Sequence, residues 1–221
     1  MAFSPELFTF LAELRENNDR DWFARNKQRY ETDVLEPALD FIEAFRPRLE
    51  AISPHFVADP RRTGGSMFRI HRDTRFSKDK TPYKTAVGMF FRHEQGKQTA
   101  APGFYLHLQP GECFAGGGIW HPETAVANRI RAAIAARPDE WRAATGDAGL
   151  ALGGDSLKRA PRGFDPDHPM IEDIKRKNFG AANKFDDGTA TSPTFVDEYA
   201  ALCTRAAPLI RFLCDALGLR Y

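Results

Sequence analysis

The 221-residue chain carries 18 Phe, 3 Trp and 5 Tyr beside 28% charged residues, enough apolar area for one large domain or two small ones and too much for a largely disordered chain. Lys+Arg number 31 and Asp+Glu 30, a net charge of +1, which excludes a global field suited to coating nucleic acid or an anionic membrane. Three widely spaced cysteines, Cys113, Cys203 and Cys214, form no CxxC pair, so a disulfide framework and a cysteine zinc site are excluded too, and a reducing cytoplasm is the expected setting.

The opening MAFSPELFTFLAELRENN lacks a basic leading region and is interrupted by charges, unlike a secretory signal. No apolar run reaches the roughly 18 residues that a membrane span needs, and no membrane partner is expected. Ser4-Pro5 opens a first helix with a cap hydroxyl and a proline at the first helical position, followed by Leu7, Phe10, Leu11 and Leu14 on one face. After the Asn17-Asn18 break, Asp19 caps a second helix bearing Trp22, Phe23 and Tyr30, and Pro37 starts or kinks a third with Leu39, Ile42, Leu49 and Ile52.

From Ser66 the period changes to alternation. Met67 to Arg72 reads as a strand with Phe68 and Ile70 on one side and Met67, Arg69 and His71 on the other, and Thr85 to Arg92 as a second with Val87, Met89 and Phe91 sharing a face. A second hairpin runs from Phe104 to Leu108, through Pro110-Gly111, into Glu112 to Trp120. Thr124 to Ala136 and the stretch from Pro138 through Trp141 return to helical character. Gly146 to Pro169 is a Gly-, Pro- and Asp-rich lid or ordered crossover; Met170 to Lys177 is a short helix and Phe195 to Leu217 a longer one, kinked or divided at Pro208. The pattern predicts a single α+β domain over residues 1–221, with an antiparallel sheet of four or more strands packed by N-terminal and C-terminal helices.

The chemistry concentrates between Arg61 and Lys84, where eight basic side chains (Arg61, Arg62, Arg69, Arg72, Arg75, Lys78, Lys80, Lys84) meet two acids, Asp73 and Asp79. Guanidinium forks bind phosphate and carboxylate oxygens, and converging cations offset an anion's desolvation. In a regular strand Arg69 and Arg72 point to opposite faces, so they share a site only if the strand ends or bulges near His71. The plainer alternative is a solvated loop whose charges pair locally.

A second constellation is GFYLHLQPGECFAGGGIWHP. With Phe104, Leu106 and Leu108 on the core, Tyr105 and His107 line the opposite surface, and Gly116, Gly117 and Gly118 read as helix packing or a bulge ahead of ligand approach. In the third, LKRAPRGFDPDHP, the residues Asp165, Asp167 and His168 suit a turn and a helix cap better than a metal, for no established metal-ligand spacing accompanies them. There is no P-loop, no GxGxxG in a strand-to-helix context and no GxSxG, so no cofactor is expected and no catalytic residue is assigned.

Four strings in order, NNDRDWFARNKQRYE, ISPHFVADPRRTGGSMFRIHRDTRFSKDKTPYKT, APGFYLHLQPGECFAGGGIWHP and KRAPRGFDPDHP, cover nearly the whole chain. With them it resembles the domain of unknown function 2461 family (DUF2461), short stand-alone proteins. The resemblance implies one intact domain and brings no established activity, cofactor or catalytic residue. Relatives often carry Tyr at the position of His71 and Arg at that of His121, which sets the resemblance against an essential role for either histidine.

The reading that follows is a cytosolic protein binding or acting on a phosphate- or carboxylate-bearing small molecule. Arg69, Arg72, Arg75, Lys78 and Lys84 are its anion ligands, and Tyr105 and His107 contact the rest. The alternatives are nucleic-acid binding through the same loop with Tyr83 or Phe76 stacking on bases, and a protein-interaction module docking an acidic partner on the basic hairpin.

Overall fold

The computed structural model describes residues 2–147 and 149–221, leaving Met1 and Ala148 of the N-terminal and 146–169 readings outside the described residues. Its first helix, α1 (Pro5–Glu16), starts at the expected proline. Ser4 has extended backbone but makes no side-chain cap hydrogen bond, so the hydroxyl cap is absent and the fixed φ of Pro5 sets the start. Asp19 does cap α2 (Arg20–Arg25), its Oδ1 accepting the Trp22 N–H at 2.8 Å. The short α3 (Lys27–Arg29) continues through a π-helical turn (Tyr30–Leu35) into α4 (Glu36–Ile52). Pro37 sits in the first turn of α4 but does not start a new helix, and its missing N–H falls directly after the i→i+5 turn that ends at Leu35.

Five strands, β1 (Val87–Arg92), β2 (Gly103–Leu108), β3 (Cys113–Ile119), β4 (Ala151–Leu152) and β5 (Phe179–Phe185), form an antiparallel sheet in the order β1-β2-β3-β5-β4. Alternation sorts its two faces. Val87, Met89, Phe91, Phe104, Leu106, Leu108, Cys113, Ala115 and Ile119 are buried, whereas Phe90, Tyr105, His107 and Phe114 are only half-buried on the other side. Against the buried face lie α4 and α9 (Phe195–Ala216): Phe45 of α4 meets Phe91 at 4.8 Å, and Tyr199 of α9 meets both. Each such fully buried ring contributes about 1.5–3 kcal/mol of transfer free energy.

The glycine run in β3 follows from packing. A Cβ on Gly117 would stand 2.9 Å from Ile210 Cδ1 of α9, and one on Gly118, whose φ is +147°, would stand 2.3 Å from the backbone of Phe179 and Gly180 in β5. Helix packing accounts for the first and close strand approach for the second.

The remaining helices are α5 (Thr124–Ala136), α6 (Pro138–Thr145), α7 (Ile171–Ile174) and α8 (Asp187–Ala190), and α9 runs through Pro208 without dividing. The 146–169 stretch contains β4, and Ser156 bridges to Arg176, so its described part is an ordered crossover. No helix among the described residues is long and apolar enough to cross a membrane.

One expected strand does not form. Ser66 to Arg72 runs beside the sheet edge through isolated bridges, Met67 opposite Met89 and His71 opposite Tyr83. Four residue steps on one side therefore face six on the other, and such a bulge re-aims side chains. Met67 and Ile70 are buried while Phe68 is 46% exposed, which overturns the expected pairing of Phe68 with Ile70 on one face. A second ladder, Arg72 N–H to Pro82 O and Lys84 N–H to Ile70 O, both 2.8 Å, closes the basic loop at its base.

Candidate functional site

The closed loop stands against the α1–α2 joint, and the Asn18 side chain fastens the two. Asn18 Nδ2 donates to Tyr83 O at 3.0 Å and Asn18 Oδ1 accepts the Tyr83 N–H at 3.1 Å, the two-bond pattern one strand residue offers another. The Tyr83 ring is buried and stacks on Phe23 at 4.1 Å, so it anchors the loop and has no free face for a base. Between the joint, the loop and β2 lies a cleft of about 470 Å³ lined by Arg15, Arg72, Asp79, Lys84, His107 and Gln109 among others.

Three cations thus face one carboxylate. Arg72 donates to Asp79 Oδ2 at 2.5 Å and to the Thr81 hydroxyl. Asp79 also accepts the Thr81 N–H at 3.0 Å and the Thr81 O–H at 2.9 Å. The Arg72 guanidinium first, and these Thr81 donors after it, hold the Asp79 carboxyl down at about 2. Lys84 differs. Its Nζ donates to the Arg69 carbonyl at 2.7 Å and lies 5.5 Å from the centre of the Phe68 ring, with no carboxylate in ion-pair range among the described residues. Burial first, and the nearby Arg69 charge second, push its pKa below the lysine norm.

On β2, Tyr105 Oη and His107 Nδ1 share a hydrogen bond at 3.1 Å, and His107 Nε2 lies 3.4 Å from Gln109 Oε1. Gln109 Nε2 donates to Glu112 at 2.7 Å, which orients the amide with its oxygen towards the imidazole. His107 therefore carries its proton on Nε2 and accepts the Tyr105 hydroxyl on Nδ1. Desolvation lowers the His107 pKa, against smaller opposing effects of Gln109 and Glu112, and burial raises that of Tyr105, so both are neutral at physiological pH.

Of the residues singled out in the sequence, Arg72, Lys84 and His107 meet in this cleft, with Tyr105 bonded to His107 behind it. Arg69 contributes its carbonyl to Lys84 and leaves its side chain exposed. Arg75 is turned back onto Asp73 at 2.7 Å, and Lys78 is exposed on the loop. The bulge thus brings Arg72, and not the Arg69 side chain, to the cleft. Sequence reasoning passed over Arg15, Asn18 and Gln109. The adjacent asparagines between two helices read as a helix break, and the partner of the Asn18 side chain lies 65 positions away.

Other clusters are spent on structure. One potential ligand atom each from His55, His93 and Glu94 lies within 4.8 Å of the others, a set the sequence reading did not raise. His93 Nε2 bonds to Arg220 O at 2.9 Å and its Nδ1 accepts the Gln95 N–H at 3.2 Å, while His55 Nδ1 bonds to Glu94 at 2.8 Å. With both of its nitrogens engaged, His93 has no lone pair left for a metal. Asp165 accepts the Asp167 N–H and His168 Nδ1 that of Met170, the turn bonding expected there. A hollow beneath the Gly111 turn is lined by Asp186 and Asp187, but these carboxylates already accept backbone N–H groups from Thr189 and Gly111.

Residues 6–212 match the family described as "Conserved hypothetical protein (DUF2461)". The chain belongs to this family. The match spans the whole sheet and nearly all of α1 to α9, so the Arg72–Lys84 cleft lies within the family's extent. No curated protein and no solved structure matches the chain.

Proposed function

We propose that the protein binds a phosphate- or carboxylate-bearing small molecule in the cleft, with Lys84 and Arg72 as anion ligands and His107, held by Tyr105 and Gln109, lining the wall beside them. The observation that carries this reading is Lys84. A half-buried ammonium served by one carbonyl and one aromatic face, with Arg69 adding like charge, bears a desolvation cost that no carboxylate offsets. An anionic ligand supplies the missing counter-charge. Arg72 adds planar donors whose direction is fixed by Asp79 and Thr81.

His107 and Tyr105 suit shaping of the cleft wall better than proton transfer, because Tyr105 and Gln109 engage both imidazole nitrogens. The test is a thermal-shift panel of phosphate- and carboxylate-bearing small molecules against the unmodified chain and Lys84→Met. Ligand-dependent stabilisation confined to the unmodified chain supports the reading. Melting unchanged across the panel removes it.

A further inference from the structure

The face of the sheet turned away from α4 and α9 carries a strip of rings that starts at the cleft. Phe68, on the bulged edge, donates its backbone N–H to Gly88 O in β1. Gly88 lies opposite His107, and His107 opposite Phe114, which in turn lies opposite Lys184 in β5. Gly88 has no side chain, and the space is taken by Tyr105, whose Oη would stand 2.8 Å from a Cβ placed there. Tyr105 is 6.2 Å from Phe68 and 5.7 Å from Phe114, and His107 stacks on Phe114 at 4.6 Å. Two cations bracket the strip, Lys84 at the Phe68 end and Lys184 at the Phe114 end.

Phe68 is 46% exposed, and Tyr105, His107 and Phe114 are half-buried. Partly exposed rings on a sheet whose ends carry positive charge offer stacking surface and counter-charge together, the pairing that bases linked to phosphates require. Lys84 belongs to both halves. It lines the cleft and its Nζ lies 5.5 Å from the centre of the Phe68 ring, so a ligand held there by its phosphate has an aromatic surface about one sugar away.

We propose that the ligand is a nucleoside phosphate, with its phosphate on Lys84 and Arg72 and its base against Phe68 and Tyr105. This rests on the anion reading above and adds the ring-bearing half. The site differs from the loop-borne stacking expected for nucleic acid, because Tyr83 is buried against Phe23 and the available rings belong to the sheet and its bulged edge.

The experiment is isothermal titration calorimetry of the full chain with adenosine 5′-monophosphate, ribose 5-phosphate and a single-stranded oligonucleotide. Stacking of one base is expected to make the nucleotide bind roughly 5- to 150-fold more tightly than the sugar phosphate. Phe68→Ala should erase that difference, and Phe68→Tyr should restore it. Phe68 is exposed, so neither variant threatens the fold.

Equal affinity for the two phosphates, both weakened by Lys84→Met, would overturn the base half and leave the anion reading standing. Binding of neither would overturn both. Oligonucleotide binding far tighter than the mononucleotide, with a steep salt dependence, would overturn the small-molecule assignment in favour of a single-stranded nucleic acid.

Discussion

Lys84→Met separates folding from binding, because the methionine keeps an apolar stem near Phe68 and deletes the charge. Lys84 titrates below its ordinary 10.5 in the folded chain, so the unfolded state binds its proton more tightly and the ammonium opposes folding at neutral pH. The substitution should therefore leave the unliganded protein as stable or more so. That gain is full below the lowered folded pKa and vanishes as pH rises past 10.5. Ligand response moves the other way. A hydrogen bond to a charged group contributes about 1.5–3 kcal/mol, so its loss should weaken phosphate binding roughly 10- to 150-fold at 1.4 kcal/mol per decade. At a ligand concentration of about one hundred times the dissociation constant, binding stabilises the unmodified chain by about 2.7 kcal/mol, which for a chain of this size raises Tm by about 5–10 °C. A 40-fold weaker variant at the same concentration retains about 0.7 kcal/mol, or about 2–3 °C. Differential scanning fluorimetry with ribose 5-phosphate reads both numbers. An equal ligand shift in both proteins, or a large loss of unliganded stability at pH 7, would refute the placement of an uncompensated cation in the cleft.

Asp79→Asn releases Arg72 from its carboxylate and should tighten anion binding several-fold, whereas a solvated ion pair unconnected with the cleft would leave affinity unchanged. The same carboxyl titrates at about 2 against an ordinary 3.8, so its stabilising contribution is present above pH 3.8 and is lost as pH falls through about 2; acid melts of the Asp79→Asn variant should lack that component. Arg131, 5% exposed, donates to Ile174 O at 2.8 Å and Arg176 O at 2.9 Å. Arg131→Met strands both carbonyls and should cost about 2–6 kcal/mol by urea denaturation, from about 1–3 kcal/mol for each unsatisfied group; a loss under 1 kcal/mol would mean that water replaces the guanidinium. Gly118→Ala drives a methyl into the backbone of β5, whereas Gly117→Ala meets the flexible Ile210 side chain at 2.9 Å and the Gly103 carbonyl less closely, at 3.2 Å. The first should prevent folding and the second should lower stability by roughly 1–3 kcal/mol, read by circular dichroism and thermal melting.

Much of the fold was legible because its signals are local. Pro5, Asp19 and Pro138 mark helix starts where the helices begin, and the alternation in Phe104 to Leu108 assigns both faces of β2 correctly. The sequence conceals β5. Phe179 to Phe185 reads FGAANKF, with Gly, Ala and Asn in its middle, because this strand must approach the glycines of β3; its small residues answer a partner some 60 positions away. Likewise, alternation from Met67 to Arg72 presumes a continuous ladder, and the bulge that defeats it depends on where Tyr83 and Met89 pair. At the cleft, the residue types of Arg72, Lys84 and His107 pointed to anion chemistry. Which basic groups converge was decided by the bulge and by Asn18, and neither leaves a mark within the basic run.

The Asn18 clamp also supplies a built-in optical reporter. Trp22, whose backbone N–H donates to Asp19, lies in the helix that begins two positions beyond the asparagine, and its ring is 5.6 Å from Phe10. Any displacement of the loop on ligand entry pulls through Tyr83 and Asn18 on this joint. A change in the emission of Trp22, measured with Trp120 and Trp141 replaced by Phe, would register cleft occupancy without a label and would give the rate at which the loop responds.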